Sequence, residues 1–326
     1  MKLRWSAVLL AMVLAAAALV LAWRWVDQAV QGPGWRDQAV VVIIPRGESL
    51  RATADRLALA GVLRHPNLFI ALLRWRGDAR RLRAGEYAVP GRASLAEIVT
   101  LVTSGRVVQH AFTLAEGVTS AQVVALLAKE AALSGTITTI PPDGSLLPET
   151  YAYVRGERRE ALLARMRQAM ERAVATQWAS RSPGLPYASP GEAVTLASII
   201  EKETGVAAER RHIAGVFINR LKNHIPLQSD PTVIYALSGG APLGRRLTKA
   251  DLKIDSPYNT YRYRGLPPGP IANPGRAALA AALNPLATDD LYFVADGSGG
   301  HAFARSLPEH LKNVRRWRAE RRRTVE

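Results

Sequence analysis

The residue of this chain best suited to acid–base chemistry is Glu201, which ends an apolar run from Ala193 to Ile200. In a helix, this spacing stacks Ala197, Glu201 and Thr204 on one face that is otherwise built of small residues. A carboxyl group partly removed from water has its pKa raised toward neutrality, as a general acid requires. The segment therefore predicts a catalytic carboxyl group, although a glutamate beside an apolar helical face is also common as a boundary residue in solvent.

The nearest acidic neighbour, Glu203, does not form a catalytic pair with Glu201 in this pattern. Two positions along a helix correspond to about 200° of rotation, so the two side chains point in different directions. We expect Glu203 to have a structural role, paired with Lys202, Arg210 or Arg211. The sequence thus predicts that Glu201 acts without an acidic partner on its own face.

Six short segments rich in polar residues, glycine and proline carry a specific resemblance. They are EKET at 201–204, FINRL at 217–221, LQSDPTVIYAL at 227–237, YNTY at 258–261, GLPPGPIANPG at 265–275 and LYFVADGSGGHAF at 291–303. In this order and spacing they resemble the YceG-like family of endolytic murein transglycosylases. The resemblance runs from about Val40 to the end of the chain and is densest from Leu196 to Phe303. Six ordered motifs are far more specific than one short pattern.

The resemblance implies an enzyme, a lyase that cuts the β-1,4 bond from N-acetylmuramic acid to N-acetylglucosamine in nascent peptidoglycan. The product would end in 1,6-anhydromuramic acid, and the cut would limit the length of the glycan strand. Protonated Glu201 would give its proton to the glycosidic oxygen and then take one from the C6 hydroxyl, which attacks C1. A glycoside hydrolase, by contrast, usually needs two carboxylates.

The motifs also supply side chains suited to a sugar. The predicted substrate-binding residues are Gln228, Asp230, Tyr235, Tyr258, Asn259, Tyr261, Asn273 and His301. The amides and Tyr258 suit hydroxyl and N-acetyl groups, and Tyr235 and Tyr261 offer aromatic platforms. Asp230 either helps the reaction or caps the turn before Pro231. The family motif that contains His301 favours a place at the site over simple packing.

Two other classes of protein remain open on the sequence alone. A muramidase-type hydrolase would need Asp230 or Glu149 to approach Glu201 as the second carboxylate. A non-catalytic peptidoglycan-binding or scaffold protein would keep Glu201 only as a structural residue. The intact motif around Glu201 favours the enzyme.

The composition of the chain limits the classes of ligand and partner that we expect. The 326-residue chain carries a formal net charge of +16, contains no cysteine, and has six histidines without the close spacing of metal ligands. We therefore expect no metal and no cofactor. The charge suits anionic lipid head groups or acidic wall polymers. No nucleic-acid-binding motif is present, so nucleic acid is not expected as a partner.

The first residues predict a membrane anchor. The chain is apolar from Ala7 to Trp23, with Lys2 and Arg4 before this run and tryptophans at its edges. This length is sufficient for one transmembrane helix, and the basic flank places the N-terminus inside. The body of the protein would then lie on the periplasmic or extracytoplasmic side of the bacterial cytoplasmic membrane. A cleaved signal peptide, with small residues around Ala17, is the alternative.

The remaining chain predicts an α+β fold in two parts. Residues 1–26 would be the cytoplasmic tip and anchor, 27–38 a polar linker, 39–135 a LysM-like α/β module, and 136–326 a mainly helical catalytic domain with short strands. The module is predicted from a weak repeat near Gly47 and Gly117, in which a strand, a glycine turn and a capped helix follow one another. A packing domain without a ligand remains the alternative. The resemblance also implies glycan polymerases and transpeptidases of wall synthesis as partners.

Overall fold

The computed structural model describes residues 2–325, and it describes all their side chains except those of residues 2–4, 6, 7 and 322–325. The predicted basic flank of Lys2 and Arg4 therefore lies outside the described side chains. Helices and strands both occur, as predicted. The chain forms two compact units. The first extends up to His110 and includes Val154–Gly156, and the second contains Ala111–Tyr153 and the chain from Glu157 onward.

The first helix, α1 (Lys2–Gln31), contains the apolar segment from Val8 to Gln31, which is long enough to span a membrane. The helix runs past Asp27, where the polar linker was predicted to begin. Near its end, Val30 is buried in the core of the first unit. Beyond the helix, the Gly34 N–H donates to the Arg92 carbonyl oxygen at 2.9 Å. Part of the predicted linker is therefore helix, and the part that follows is bonded to the first unit.

The first unit contains three further helices and a two-stranded sheet. Strand β1 (Val40–Ile44) pairs antiparallel with β2 (Gly85–Val89), and the helices are α2 (Leu50–Leu59), α3 (Pro66–Trp75) and α4 (Leu95–Ser104). Helices α2 and α4 contact the strands, and α3 packs against α2 and α4. Ser49 caps α2 through its hydroxyl oxygen, and Ser94 forms a capping box with Glu97 at the start of α4. Fully buried core residues include Leu57, Phe69, Leu73, Tyr87 and Val99.

The second unit is mainly helical, with short strands. Its elements in chain order are β3 (Gln109–Thr113), α5 (Ser120–Lys129), β4 (Thr150–Val154), α6 (Arg159–Ala179), α7 (Pro190–Glu203), α8 (Arg210–Lys222), α9 (Asp230–Ser238), α10 (Arg276–Leu283), β5 (Tyr292–Ala295), β6 (His301–Ala304) and α11 (Leu307–Val325). Strand β3 pairs with β4, and β5 pairs antiparallel with β6. The predicted boundary near residue 135 does not coincide with the division of the units, which groups β3 residues from Ala111 onward and α5 with the later helices.

Helix α7 is the central helix of the second unit. Ser189 caps it, Pro190 occupies its first turn, and Glu192 completes a capping box. Every residue from Ala193 to Ile200 is buried, and α6, α8, α9 and α10 pack around the helix. The two hydroxyl groups in this stretch, of Thr195 and Ser198, donate to backbone carbonyls of the same helix, so the helix can be buried on all sides. Glu201 therefore lies in the last turn of this buried helix.

Candidate active site

The Glu201 carboxyl group is held in a nearly closed environment. Its side chain is only 5% exposed. Its Oε2 accepts a hydrogen bond of 2.8 Å from the Gly275 N–H, and its Oε1 lies 3.5 Å from Arg210 Nη2. Burial raises the pKa of Glu201 above its usual range. The Gly275 N–H lowers that pKa, the charge of Glu116 raises it, and Arg210 and Lys202 lower it.

A second carboxylate, from Glu116, shares the same guanidinium group. Glu116 Oε2 lies 3.7 Å from Arg210 Nη2, and the Glu116 side chain is 44% exposed. A Cβ atom added to Gly275 would lie 1.7 Å from Glu116 Oε1, so this carboxylate rests directly against the glycine. A second carboxylate therefore lies near Glu201, but it comes from a distant segment and not from the face of α7, to which the expectation applied.

The two residues expected to approach Glu201 in a hydrolase bind elsewhere. Glu149 forms an ion pair with Arg276 at 2.7 Å, and Asp230 accepts a hydrogen bond of 2.6 Å from the Tyr261 hydroxyl. Glu116 was missed because it precedes Glu201 by 85 positions and belongs to a strand-and-turn segment. The only signal in the sequence was that Glu116 precedes the turn glycine in the second copy of the repeat.

Backbone hydrogen bonds hold the Glu116 turn beside the segment that ends in Gly275. Gly117, in the left-handed region at φ +75°, donates its N–H to the Asn273 carbonyl at 2.9 Å. The Asn273 N–H donates to the Val118 carbonyl at 2.9 Å, and Lys202 Nζ donates to the Gly117 carbonyl at 3.2 Å. The turn is thus tied both to the last turn of α7 and to the loop before α10.

The amide of Asn273, predicted to bind substrate, is used inside the protein. The side chain is fully buried. Its Oδ1 accepts from the Leu146 N–H at 3.0 Å, and its Nδ2 donates to the Val118 carbonyl at 3.0 Å and to Ser120 Oγ at 3.2 Å. With no exposed surface, this side chain supports the wall of the site, which corrects the expectation that it faces a sugar.

Asn259 requires the same correction. It is also fully buried, and its Nδ2 donates to the carbonyl oxygens of Leu252 and Ile254 at 3.1 and 2.9 Å. Its Oδ1 accepts from the Tyr261 N–H at 3.0 Å. The amide therefore shapes the YNTY turn.

The other predicted substrate-binding residues retain at least partial exposure, and their roles remain predictions. Gln228 and Asp230 are exposed, and Tyr235, Tyr258 and Tyr261 are partly exposed. The rings of Tyr235 and Tyr258 are 4.8 Å apart between centroids. The Tyr235 hydroxyl donates to Asp143 Oδ2 at 2.7 Å. The aromatic role of Tyr235 and Tyr261 toward a sugar stays a prediction.

His301 is tied to the segment that follows α7. Its N–H donates to Glu209 Oε1 at 2.9 Å, and its Nδ1 lies 2.7 Å from Glu209 Oε2. Its side chain is 15% exposed. Glu209 thus fixes the position of the β5–β6 turn, and a direct role for His301 toward substrate stays a prediction.

Glu203 occupies a second, separate environment on α7. It accepts a hydrogen bond from the hydroxyl of Ser229, which is buried, and not from the basic residues that were expected. Burial raises the pKa of Glu203 to about 7, and the neighbouring charge of Asp230 also raises it. Nearby Arg220, itself 7% exposed, donates to the carbonyl oxygens of Leu291 and Leu227 at 2.6 and 2.9 Å.

The raised pKa of Glu203 predicts a pH-dependent cost to stability. As the pH rises from about 4.5 to 7, the unfolded chain loses this proton before the folded chain does, so the free energy of unfolding falls. Glu203→Gln should remove a decrease on the order of 3 kcal/mol between pH 4.5 and pH 8. Denaturant unfolding at both pH values measures it, with the exposed Glu171→Gln as control. Equal pH dependence in all three proteins would contradict the prediction.

Comparison with known proteins agrees with the motif pattern. The model of the YceG-like family matches residues 42–316. A Bacillus subtilis (strain 168) protein named endolytic murein transglycosylase is 35% identical, over 84% of this chain and 83% of its own length. A Streptococcus pneumoniae (strain D39) protein of the same name is 29% identical, over 84% of this chain and 58% of its own.

A solved structure shares the fold. The crystal structure of a putative yceG-like protein from Listeria monocytogenes aligns with a TM-score of 0.52 and 30% sequence identity. The alignment covers 84% of this chain and 98% of that structure. Together with the family match over residues 42–316, this similarity shows that the chain belongs to the YceG-like family.

Proposed function

We propose that this chain is an endolytic peptidoglycan transglycosylase with Glu201 as its acid and base. It cleaves the bond from N-acetylmuramic acid to N-acetylglucosamine in nascent strands and leaves 1,6-anhydromuramic acid ends, which limits strand elongation. The observation that carries the proposal is the buried Glu201 carboxyl group with its raised pKa. The name that the relatives share, endolytic murein transglycosylase, supports the general activity.

The arrangement around Glu201 suits both halves of this reaction. In the first half, the protonated carboxyl donates to the glycosidic oxygen and the C1–O bond breaks. In the second half, the carboxylate accepts the C6 hydroxyl proton while that oxygen bonds to C1. The Gly275 N–H supports the carboxylate form between the two halves through its 2.8 Å hydrogen bond to Oε2.

The Glu116 carboxylate favours a second candidate, a muramidase-type hydrolase. Hydrolases place two carboxyl groups about 5 to 9.5 Å apart, one as acid and the other as nucleophile or base. Glu116 and Glu201 both lie within 4 Å of one Arg210 nitrogen. The partial exposure of Glu116 would let it meet a water or a sugar.

The chemical ends of the products distinguish the two reactions. Purified chain would be incubated with uncrosslinked glycan strands in water enriched in ¹⁸O, and the fragments analysed by mass spectrometry. We expect internal fragments with 1,6-anhydro ends, each lighter by one water than a reducing end and free of label. Labelled reducing ends would establish the hydrolase instead. Glycan binding without cleavage would favour a non-catalytic scaffold.

The location and division of labour are part of the proposal. Helix α1 anchors the chain in the cytoplasmic membrane, and the rest lies outside the cytoplasm. The LysM-like module of residues 39–135 contacts the glycan, and residues 136–326 cut it together with the turn that carries Glu116. The length and apolar composition of α1 support the anchor. Polymerases and transpeptidases of wall synthesis are the proposed protein partners.

A further inference from the structure

Three ionisable side chains, Glu116, Arg210 and Glu201, form a row from solvent to the interior. We propose that Glu116 is a positioning residue for the reaction: it competes with Glu201 for the Arg210 guanidinium and releases that cation to Glu201 when the proton has left. The inference rests on the proposed function of Glu201. It identifies Glu116 and Arg210 as the groups that control when Glu201 gives up its proton.

The burial of the three residues follows their order. The side chains of Glu116, Arg210 and Glu201 are 44%, 14% and 5% exposed. One guanidinium nitrogen, Nη2, faces both carboxyl groups, at 3.7 Å from Glu116 Oε2 and 3.5 Å from Glu201 Oε1. Close charge-assisted hydrogen bonds are about 2.7–2.9 Å long. Arg210 therefore stands between the two groups without closing on either.

Arg210 also has hydrogen-bonding capacity left over. Among the residues that the structure describes, its Nε is buried without a hydrogen-bond partner. Buried donors are nearly always paired, so an unpaired one in a reactive site needs an explanation. A guanidinium that must shift between two carboxyl groups during turnover provides one. In the resting arrangement it forms a close ion pair with neither of them.

The charges balance across the proposed step. Before the reaction, ionised Glu116 and Arg210 cancel, and Glu201 holds its proton. The O–H bond of Glu201 then breaks, the proton moves to the glycosidic oxygen, and the electron pair of the C1–O bond leaves with that oxygen. The row now carries one net negative charge beside the positive C1 centre, and Arg210 can engage the new carboxylate. The C6 hydroxyl returns a proton to Glu201 as its oxygen bonds to C1.

The position of Glu116 depends on two glycines. Gly117 takes the left-handed conformation at φ +75° that forms the turn. Gly275 leaves the room that Glu116 Oε1 occupies, and the three atoms nearest to an added Cβ there all belong to Glu116. The same Gly275 donates its N–H to Glu201. One glycine thus accommodates both carboxyl groups.

The test is the pH dependence of cleavage by full-length Glu116→Gln. The groups that act on the Glu201 carboxyl are Glu116, Arg210, Lys202 and the Gly275 N–H. Removing the only negative charge among them lowers the pKa of Glu201, so the acid loses its proton at lower pH. We expect the alkaline limb of the kcat/KM profile to move down by roughly one pH unit, with anhydro products unchanged. Above that limb, this lowers activity about tenfold.

Two comparisons separate this role from a structural one. Glu160→Gln is the matched control, since Glu160 is 41% exposed and pairs with Arg158 at 2.7 Å; its profile should match that of the unchanged chain. The double variant Glu116→Gln/Arg210→Gln is compared with Arg210→Gln alone. The shift of the alkaline limb caused by Glu116→Gln should be smaller in this background than in the unchanged chain, because no guanidinium remains for Glu201 to gain.

A further variant covers the case in which Glu116→Gln folds poorly. Gly275→Ala pushes the Glu116 carboxylate aside and should move the same limb in the same direction. An alkaline limb that stays in place in both variants overturns the proposal, even if the overall rate falls. A Glu116→Gln chain that loses cleavage at every pH also overturns it, since Glu116 would then act on substrate directly. Reducing ends from the unchanged chain would instead refute the proposed function.

Discussion

Glu201→Gln is expected to slow glycan cleavage by about a thousandfold, which is within the range that one general acid–base group contributes. Glutamine has nearly the same shape as glutamate, and its carbonyl oxygen can still accept the Gly275 N–H. It has no ionisable proton, so neither the departure of the sugar nor the attack by the C6 hydroxyl is assisted. The measurement is the rate of fragment release from uncrosslinked strands by the full-length chain.

Two controls separate the loss of the acid–base group from a loss of folding. Glu171→Gln changes an exposed glutamate of α6 and should cleave at the rate of the unchanged chain. The melting temperature of Glu201→Gln should not fall, because the substitution removes a buried carboxyl group whose ionised form burial disfavours. A rate within tenfold of the unchanged chain would show that another group is the acid, and Glu116 would be examined first.

Asn273→Ala is expected to lower the free energy of unfolding by about 3 kcal/mol. The substitution leaves the buried Leu146 N–H without its acceptor and removes both amide donors to Val118 and Ser120. Each buried polar group left unpaired costs about 1–3 kcal/mol. Denaturant unfolding of the full-length chain in detergent measures the loss.

The matched control for Asn273 is Asn223→Ala. Asn223 is exposed, and its side-chain amide donates to the Asn219 carbonyl, one helical turn earlier, at 2.8 Å. Its loss should cost less than about 0.5 kcal/mol, as is usual for surface positions. If both variants lose the same stability, the Asn273 amide does not hold the second unit together as described.

The position of Glu201 was readable from the sequence because the signal is local. The apolar run before it and the helical repeat predict a helix that places Glu201 beside an apolar face, and α7 is that helix. The rotation between Glu201 and Glu203 also follows from helix geometry. Local periodicity determines these features, and the structure contains them.

The partners of these residues could not be read in the same way. Glu116 reaches Arg210, and Ser229 reaches Glu203, only because distant segments fold together. The chemistry of an asparagine amide is equally suited to a sugar and to backbone groups, so residue type alone did not reveal that Asn259 and Asn273 are buried. Burial depends on tertiary packing, and no short segment encodes it.

Helix α1 is joined to the rest of the first unit by packing and hydrogen bonds, so it is a rigid connection and not a flexible linker. A flexible coil of the twelve residues from 27 to 38 would let its ends drift about 20 Å apart. Here the helix continues to Gln31 with Val30 buried in the core, and Gly34 is bonded to Arg92. In an anchored chain, one residue inserted into α1 would therefore turn the first unit by about 100° and shift it by about 1.5 Å along the helix axis.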